Sequence, residues 1–306
     1  MRQLSFKTAL LFGFCVFITP YAMAADEDAA PPLGGYYGNL HASIDVEAVN
    51  STPTVFVPYL GAGGKIAYDG GPGSMGYQLD ADVNYSDLSW VSPSITTTSV
   101  GLTTVDSAAH LTYITSNDNK VGAFAGVSTL SLSTGINSGT NSASVTAGLV
   151  GAGLEDIVAV TDDTTIQVRV ALFTPAFVSA TYDTGSGPQT VNATLNTGII
   201  GYSIMGGLSH RFTSNLSARA DASYADFGGG IMTDSLMLYN GSLTGQYTFD
   251  ETPVSLGLSA GYGGASYAGT SMDAFTFAAK ASYSFGGVTD GVTGKLFRSG
   301  LFSLFN

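Results

Sequence analysis

The chain has 306 residues, of which 44% are hydrophobic and only 11% are charged, less than half of the roughly 25% that is typical of a soluble domain. Its 10 lysines and arginines against 23 aspartates and glutamates give a formal net charge of -13, which excludes a nucleic-acid binder because such proteins are basic. The high apolar content excludes a disordered chain, and the lack of a long apolar run in the sequence excludes a helical membrane protein. A β-rich chain remains.

The first 24 residues have the pattern of a secretory signal peptide. Arg2 and Lys7 precede an apolar stretch over residues 9–18, and Ala22-Met23-Ala24 supplies the small residues that signal peptidase reads. A membrane-anchoring helix needs about 20 apolar residues, and this stretch is too short. We therefore predict export, with cleavage of residues 1–24.

Alternation of apolar and polar residues with a period of two recurs through residues 37–285. Over residues 77–85 one face reads Tyr, Leu, Ala, Val, Tyr and the other reads Gln, Asp, Asp, Asn. Residues 165–172 and 216–224 alternate in the same way. This period is that of a β-strand. We count about twelve such strands, preceded by a short segment over residues 25–36.

Three features favour a wall that faces lipid over the sheet of a soluble sandwich. The apolar faces are rich in alanine and glycine, which fill a packed core poorly. Aromatic residues such as Tyr77 and Tyr85 mark the two ends of an apolar face, and every second connection is generally the shorter. We predict an all-β fold, a transmembrane antiparallel up-and-down β-barrel of about 12 strands with a range of 10–14. Pro58 and Pro175 lie inside two of these strands, where proline usually marks an end, an edge or a bulge.

These features, with tight Asp/Asn turns and a late strand that ends Ala281-Ser282-Tyr283-Ser284-Phe285, resemble the outer-membrane porin-like barrels of Gram-negative bacteria. The resemblance is architectural, covers nearly the whole chain after residue 24, and includes no motif of a single family. It implies the outer membrane of a Gram-negative bacterium, contact with outer-membrane lipid and lipopolysaccharide, and assembly by the barrel-assembly machinery. Phe285 is similar to the terminal aromatic residue that this machinery recognises. A monomer and an oligomer both remain open.

Residues 286–306 depart from that pattern, since they follow Phe285 and their apolar residues lie nearer to helical than to strand spacing. One hypothesis is that this tail plugs the lumen or lies at the periplasmic membrane surface. The other is that it supplies part of the last strand.

The polar face of each strand is predicted to line the barrel interior. Eleven charged residues have this parity: Asp45, Glu47, Lys65, Asp80, Asp82, Asp106, Arg169, Arg211, Arg219, Asp221 and Lys280. Opposed charges of this kind tune ion selectivity in a pore, whereas in a closed interior they pair with one another. Because the other inward residues are small and polar, we predict a pore for passive diffusion of small hydrophilic solutes or ions, without a cofactor.

Two other functions are weighed against a pore. A structural or adhesive barrel would act through its outer loops, of which residues 91–102 are the most prominent in the sequence. A lipid hydrolase would need a His-x-Ser arrangement, and His41-Ala42-Ser43 alone has that spacing. Because a lone histidine on a strand more often satisfies a local hydrogen bond than acts as a base, we predict that the protein is not an enzyme. Asp80-x-Asp82 lacks the rest of a calcium-loop pattern, so we predict no metal site.

Overall fold

A computed structural model places most of the described chain in one β-sheet. It describes residues 35–50, 55–87, 98–136, 141–183, 187–194, 201–228, 235–250, 252–267, 269–286 and 295–298. The predicted signal peptide, the residues after it up to residue 34 and most of the predicted tail lie outside these ranges. Among the described residues, no helix is long and apolar enough to cross a membrane.

Within the described ranges, thirteen antiparallel strands make up the sheet. In chain order they are β1 (Gly35–Val49), β2 (Val55–Asp69), β3 (Met75–Asp87), β4 (Thr98–Ser116), β5 (Asn119–Ile136), β6 (Asn141–Thr161), β7 (Thr164–Asp183), β8 (Pro188–Thr194), β9 (Gly201–Arg211), β10 (Leu216–Phe227), β11 (Leu236–Thr248), β12 (Val254–Tyr267) and β13 (Thr270–Phe285). Successive side chains of each strand lie on opposite faces of the sheet, as the alternation in the sequence requires.

Twelve of these strands form a closed ring. β1 pairs with β13, with Gly38 opposite Phe285, and β6 pairs with β7, which pairs in turn with β9 over residues 164–173. β8 pairs with residues 177–183 of β7 and extends the wall outside the ring. The predicted antiparallel up-and-down barrel of 12 strands is therefore confirmed. Closure pairs backbone groups around the whole ring, as a lipid environment requires.

Both prolines within strands have a local explanation. Pro175 lies at an irregularity where Gly148 pairs with Phe177 but Leu149 pairs with Pro175, so one residue of β7 is bulged out. Pro58 pairs with β1 but lies beyond the end of the β2–β3 ladder, which begins at Tyr59. Both positions suit proline, which lacks a backbone N–H for the ladder.

The outer surface of the barrel is apolar. Leu154, Leu172 and Leu258 point outward and are 62%, 61% and 71% exposed. Inward neighbours such as Glu155 are buried. A soluble protein would cover large apolar side chains in this number, so the wall suits contact with lipid.

Aromatic rings lie at both ends of this apolar surface. At one end the rings of Tyr36, Tyr68 and Tyr77 pack together, with centroids 5.2 to 6.4 Å apart. At the other end Tyr262 contacts Phe275 at 5.0 Å, and further ring pairs join Tyr202 to Tyr224 and Tyr239 to Tyr262. Two such girdles flank the apolar band of outer-membrane barrels.

The two ends of the barrel differ in their connections. The turn end carries the connections 70–74, 117–118, 162–163, 212–215 and 249–253, together with the start of β1 and the end of β13. The first of these turns uses Gly71 and Gly73 at φ of 88° and 80°, a conformation that glycine adopts at little cost. The loop end carries the connections that are generally longer, including 88–97 and 228–235, although 268–269 is short.

Candidate functional site: the barrel lumen

One side of the lumen is lined by enclosed polar side chains. The inward residues of β3 and β4 include Gln78, Asp80, Asp82, Asp106 and His110, which are all 6% exposed or less. Alternation explains their position, because their neighbours along each strand face outward. Enclosed charges are costly unless they are paired and hydrogen-bonded, so the partners of these groups determine what this side of the lumen can do.

The C-terminal segment, residues 295–298, lies against this side of the lumen. The backbone N–H of Phe297 donates to Oε1 of Gln78 at 2.8 Å, and Nε2 of Gln78 donates to the carbonyl of Phe297 at 3.0 Å. Nζ of Lys65 donates to the same carbonyl at 2.9 Å. The side chains of Gln78 on β3 and Lys65 on β2 therefore hold the backbone of the segment by hydrogen bonds.

The segment begins near the turn end of the barrel. There the carbonyl of Lys295 accepts a hydrogen bond from Nζ of Lys120 at 3.0 Å and lies 3.2 Å from the hydroxyl oxygen of Tyr37. Lys120 also pairs with Asp69 at 2.9 Å, and Tyr37 donates to that carboxylate at 2.6 Å. Burial lowers the pKa of the Lys295 ammonium from its ordinary value.

The segment ends near the middle of the barrel wall. Nη2 of Arg169 donates to the carbonyl of Arg298 at 2.5 Å, and the guanidinium of Arg298 lies 3.0 Å from the carboxylate of Asp221. Arg219 shares this carboxylate at 2.9 Å. Residues 295–298 thus connect β1, β2, β3, β5, β7 and β10, so this segment occupies the lumen. The hypothesis that the tail supplies part of the last strand is wrong for these four residues.

The ring of Phe297 fills an apolar pocket in the wall. It is fully buried and packs with Ile114 and Ile157. The ring of His110 lies parallel to it with centroids 6.0 Å apart, and Nζ of Lys120 lies 5.3 Å from its centroid. Apolar contact and a cation–π interaction both favour an aromatic side chain at this position.

A chain of charged groups supports this pocket. His110 lies between two carboxylates, with Nε2 at 2.7 Å from Asp80 and Nδ1 hydrogen-bonded to Glu155. Glu155 pairs in turn with Arg169 at 2.8 Å. Two carboxylate partners suit the doubly protonated imidazolium, in which both ring nitrogens donate. The chain is buried, and it fixes the groups that contact the C-terminal segment.

The opposite side of the lumen is accessible to water. Lys280 has the inward parity of β13, lies opposite Ser43 of β1, and is nevertheless exposed. Inward positions of β11 and β12 carry small side chains, among them Thr244 and Ser259, which are partly exposed. Asp45 on β1 is also partly exposed. The C-terminal segment therefore narrows the lumen from one side and leaves polar, accessible wall on the other.

An apolar layer lies inside the lumen towards the loop end. Its large members are Phe124, Leu149, Phe173, Phe227 and Leu238, which pack with inward alanines of β4, β7 and β10. The rings of Phe173 and Phe227 meet edge to face at 4.6 Å. The sequence predicts a uniformly polar interior, and this layer corrects that expectation.

The structure brings most of the predicted lining residues into the interior. Ten of the eleven have inward side chains: Asp45, Glu47, Lys65, Asp80, Asp82, Asp106, Arg169, Arg219, Asp221 and Lys280. Arg211 has the inward parity but is the last residue of β9, where its side chain is 52% exposed and pairs with Asp163 at the turn end. Whether these residues line a path for solutes remains a prediction.

Sequence reasoning missed most of the residues that hold the segment or form its pocket. Three of them have the same inward parity as the predicted lining residues: Lys120, Glu155 and His110. A complete list of inward positions would have included them. Tyr37 also has inward parity, but as an aromatic residue near a strand end it was indistinguishable from the girdle. Phe297 follows no strand pattern, and no signal in the sequence indicated its pocket.

His41 and Ser43 do not form a catalytic arrangement with each other. Nε2 of His41 lies 2.9 Å from the carboxylate of Asp82, and the hydroxyl of Ser43 donates to Asp45 at 3.0 Å. Both side chains face the lumen and have carboxylate partners there. A serine nucleophile needs a base within hydrogen-bond reach, and in this arrangement a carboxylate of the same strand holds the hydroxyl instead.

No family model matches the chain, and no curated protein matches it. Solved structures of similar shape include the translocator domain of the autotransporter NalP from Neisseria meningitidis, with a TM-score of 0.49 and 12% identity over 92% of this chain and 95% of that one. The toluene transporter TodX of Pseudomonas putida has a TM-score of 0.46 and 14% identity over 83% and 90% of the two chains. The KdgM porin has a TM-score of 0.45 and 12% identity over 80% and 99%. The closed barrel described above rests on the strand pairing of this chain itself.

Proposed function

We propose that the protein is an outer-membrane channel for small hydrophilic solutes or ions, narrowed by its own C-terminal segment. The apolar outer surface and its two aromatic girdles support a position across a bilayer. Export with a cleaved signal peptide over residues 1–24 is part of the same proposal, as is a turn end that faces the periplasm.

The observation that carries the proposal is the accessible side of the lumen. Lys280 points inward and is still exposed, beside the small residues of β11 and β12. An interior filled by side chains would bury a lysine at this position, as it buries Lys120 on the opposite side. Water therefore reaches the inner wall of β13, and a hydrophilic solute would pass beside the C-terminal segment.

Lys280 is the residue that we expect to influence ion selectivity most. A charge that lines a narrow aqueous path changes the concentration of ions of each sign within it. The buried carboxylates Asp80 and Asp82 face partners in the wall and contribute less. Replacing Lys280 by glutamate should therefore shift the channel towards cations.

Single-channel recording tests the proposal directly. The full-length mature chain is refolded in detergent and inserted into a planar bilayer, and ion selectivity is read from the reversal potential in a salt gradient. We expect discrete conductance steps, and a reversal potential that moves towards cation selectivity in Lys280→Glu. Arg211→Glu is the matched control, because Arg211 lies at the rim and is half exposed. A folded barrel that gives no conductance steps would contradict the proposed channel.

A surface role is the second candidate, and the hairpin of β7 and β8 favours it. Among the described strands β8 pairs with β7 alone, so this hairpin extends the wall beyond the closed ring at the loop end. Tyr182 and Val191 on it are 42% and 60% exposed. If this hairpin binds an outside partner, Tyr182→Ser with Val191→Ser should reduce adherence of cells that display the barrel and leave its conductance unchanged.

A further inference from the structure

The inner wall presents side-chain donors to three backbone carbonyls of the C-terminal segment. The carbonyl of residue 295 accepts a hydrogen bond from Lys120, that of residue 297 from Lys65 and Gln78, and that of residue 298 from Arg169. Contacts to backbone atoms do not depend on the sequence of the bound segment. They are the means by which proteins hold an extended peptide.

Two further contacts depend on the sequence of the segment. The pocket formed by Ile114, Ile157 and the ring of His110 takes the aromatic ring of Phe297. The carboxylate of Asp221 takes the guanidinium of Arg298 at 3.0 Å. The wall therefore favours an aromatic residue followed by an arginine.

Most of the groups that hold the segment keep a partner when it is removed. Four of them have partners of their own in the wall: Lys120 with Asp69 at 2.9 Å, Arg169 with Glu155 at 2.8 Å, Gln78 with Asp80 at 3.1 Å, and Asp221 with Arg219 at 2.9 Å. The fifth, Lys65, donates to the carbonyl of Phe297. Loss of a buried partner is costly mainly when it leaves a charged or polar group unpaired. Departure of the segment leaves the first four groups paired and frees Lys65 to bind the carbonyl of another occupant, so the wall is suited to exchange of its occupant.

We propose that the wall formed by the inward residues of β1–β7 and β10 is a peptide-binding groove with an exchangeable occupant. Residues 295–298 occupy it within the same chain, and a free peptide that has an aromatic residue followed by an arginine binds it when these residues are displaced. The apolar pocket binds the aromatic ring, and the carboxylate of Asp221 binds the arginine. The side-chain donors of the wall bind the backbone of the peptide. This inference does not require that the barrel conducts.

Peptide binding to the full chain tests the groove. The probe is a fluorescein-labelled peptide of residues 293–300, Thr-Gly-Lys-Leu-Phe-Arg-Ser-Gly, and the readout is fluorescence anisotropy in detergent micelles. We expect saturable binding to the double variant Phe297→Ala with Arg298→Ala, whose own segment has lost both specific contacts. Binding to the wild-type chain should be at least about tenfold weaker, because its own segment competes. Arg298→Ala alone weakens the segment more mildly and serves if the double variant does not fold.

Matched controls separate the groove from nonspecific binding. In the double-variant background, Asp221→Asn should weaken binding about tenfold, because the asparagine oxygen still accepts a hydrogen bond but the negative charge that pairs with the arginine of the peptide is lost. Asp226→Asn makes the same chemical change five residues along β10, on the opposite face, and should leave binding unchanged. A peptide with serine in place of phenylalanine should bind much more weakly than the native peptide.

Three results would overturn the proposal. They are equal binding to the wild-type chain and the double variant, equal binding of the serine peptide and the native peptide, and no binding to a folded double variant. Conductance enters none of these measurements. If the barrel binds peptide but does not conduct, the groove is supported and the channel is contradicted. If the barrel conducts but does not bind peptide, the channel is supported and the groove is contradicted.

Discussion

The guanidinium of Arg298 lies 3.0 Å from the carboxylate of Asp221, and Nε of Arg219 lies 2.9 Å from the same carboxylate. One carboxylate on β10 thus serves two arginines, one in the wall and one in the C-terminal segment. Arg219 also donates to the side-chain oxygen of Gln167 at 3.0 Å. Asp221 therefore keeps a partner in the wall, Arg219, when Arg298 leaves it.

Breaking the buried pair of Glu155 and Arg169 should destabilise the barrel strongly. Glu155 contacts both Arg169 and His110, and Glu155→Gln leaves two buried cations with a weaker partner. Loss of one partner of a buried pair costs about 3–5 kcal/mol. The free energy of unfolding in urea, measured on the barrel refolded in detergent, gives the change.

Asp163→Asn is the matched control for this measurement. Asp163 also pairs with an arginine, Arg211, but both side chains are about half exposed at the turn end. An exposed pair contributes only about 0–1 kcal/mol. Equal effects of the two substitutions would show that the interior around Glu155 is as well hydrated as the rim.

Gly201 should resist replacement by alanine because it lies beneath the ring of Phe173. A Cβ atom at this position would overlap the ring, which also packs on Phe227 in the apolar layer. Overpacking of this kind typically costs about 1–3 kcal/mol. Gly206→Ala on the same strand meets open space and should leave the free energy of unfolding nearly unchanged. If both alanine variants have the same free energy of unfolding, the ring of Phe173 does not pack against Gly201.

The barrel was predictable from sequence because the alternation that specifies its strands is a local pattern. Each strand alternates between lipid and lumen, so a residue such as Leu79 or Gln78 can be assigned to a face from its immediate neighbours. The aromatic girdle was predictable in the same way, since Tyr77 ends an apolar face. The strand count needed only the number of alternating runs, although most of β8 was assigned to the connection between two predicted strands.

The contents of the lumen were not predictable by this rule. Parity shows that Asp221 faces inward, but not that Arg298 approaches it from 77 positions along the chain. Burial is a second property that parity lacks, because Asp82 and Lys280 share an inward face and only Asp82 is enclosed. Both depend on contacts between residues far apart in the sequence, such as that of His41 with Asp82, which no strand pattern specifies.

Ala81→Arg tests the assignment of the outer face. Ala81 lies at the middle of β3 between Leu79 and Val83, which are 51% and 43% exposed on the outside. An arginine on the lipid face near the bilayer midplane costs about 2–4 kcal/mol. Ser259→Arg on the inner face of β12 is the control and should fold with little loss. Folding in lipid vesicles, followed by the heat-dependent mobility shift of barrels on gels, compares the two, and equal yields would contradict the assigned face.

Phe297→Ala should widen the channel without disturbing the wall. The substitution removes the buried ring that packs on Ile114 and Ile157 and weakens the hold on residues 295–298. Because those residues narrow one side of the lumen, we expect a larger single-channel conductance and a less selective reversal potential than in the wild-type chain. Phe212→Ala is the control, since this ring is 60% exposed at the turn end and its loss should change neither quantity. Unchanged conductance in a folded Phe297→Ala channel would mean that solutes pass where the segment does not reach, along β11–β13 alone. In that case Lys280→Glu would still shift the reversal potential, and the segment would have no part in permeation.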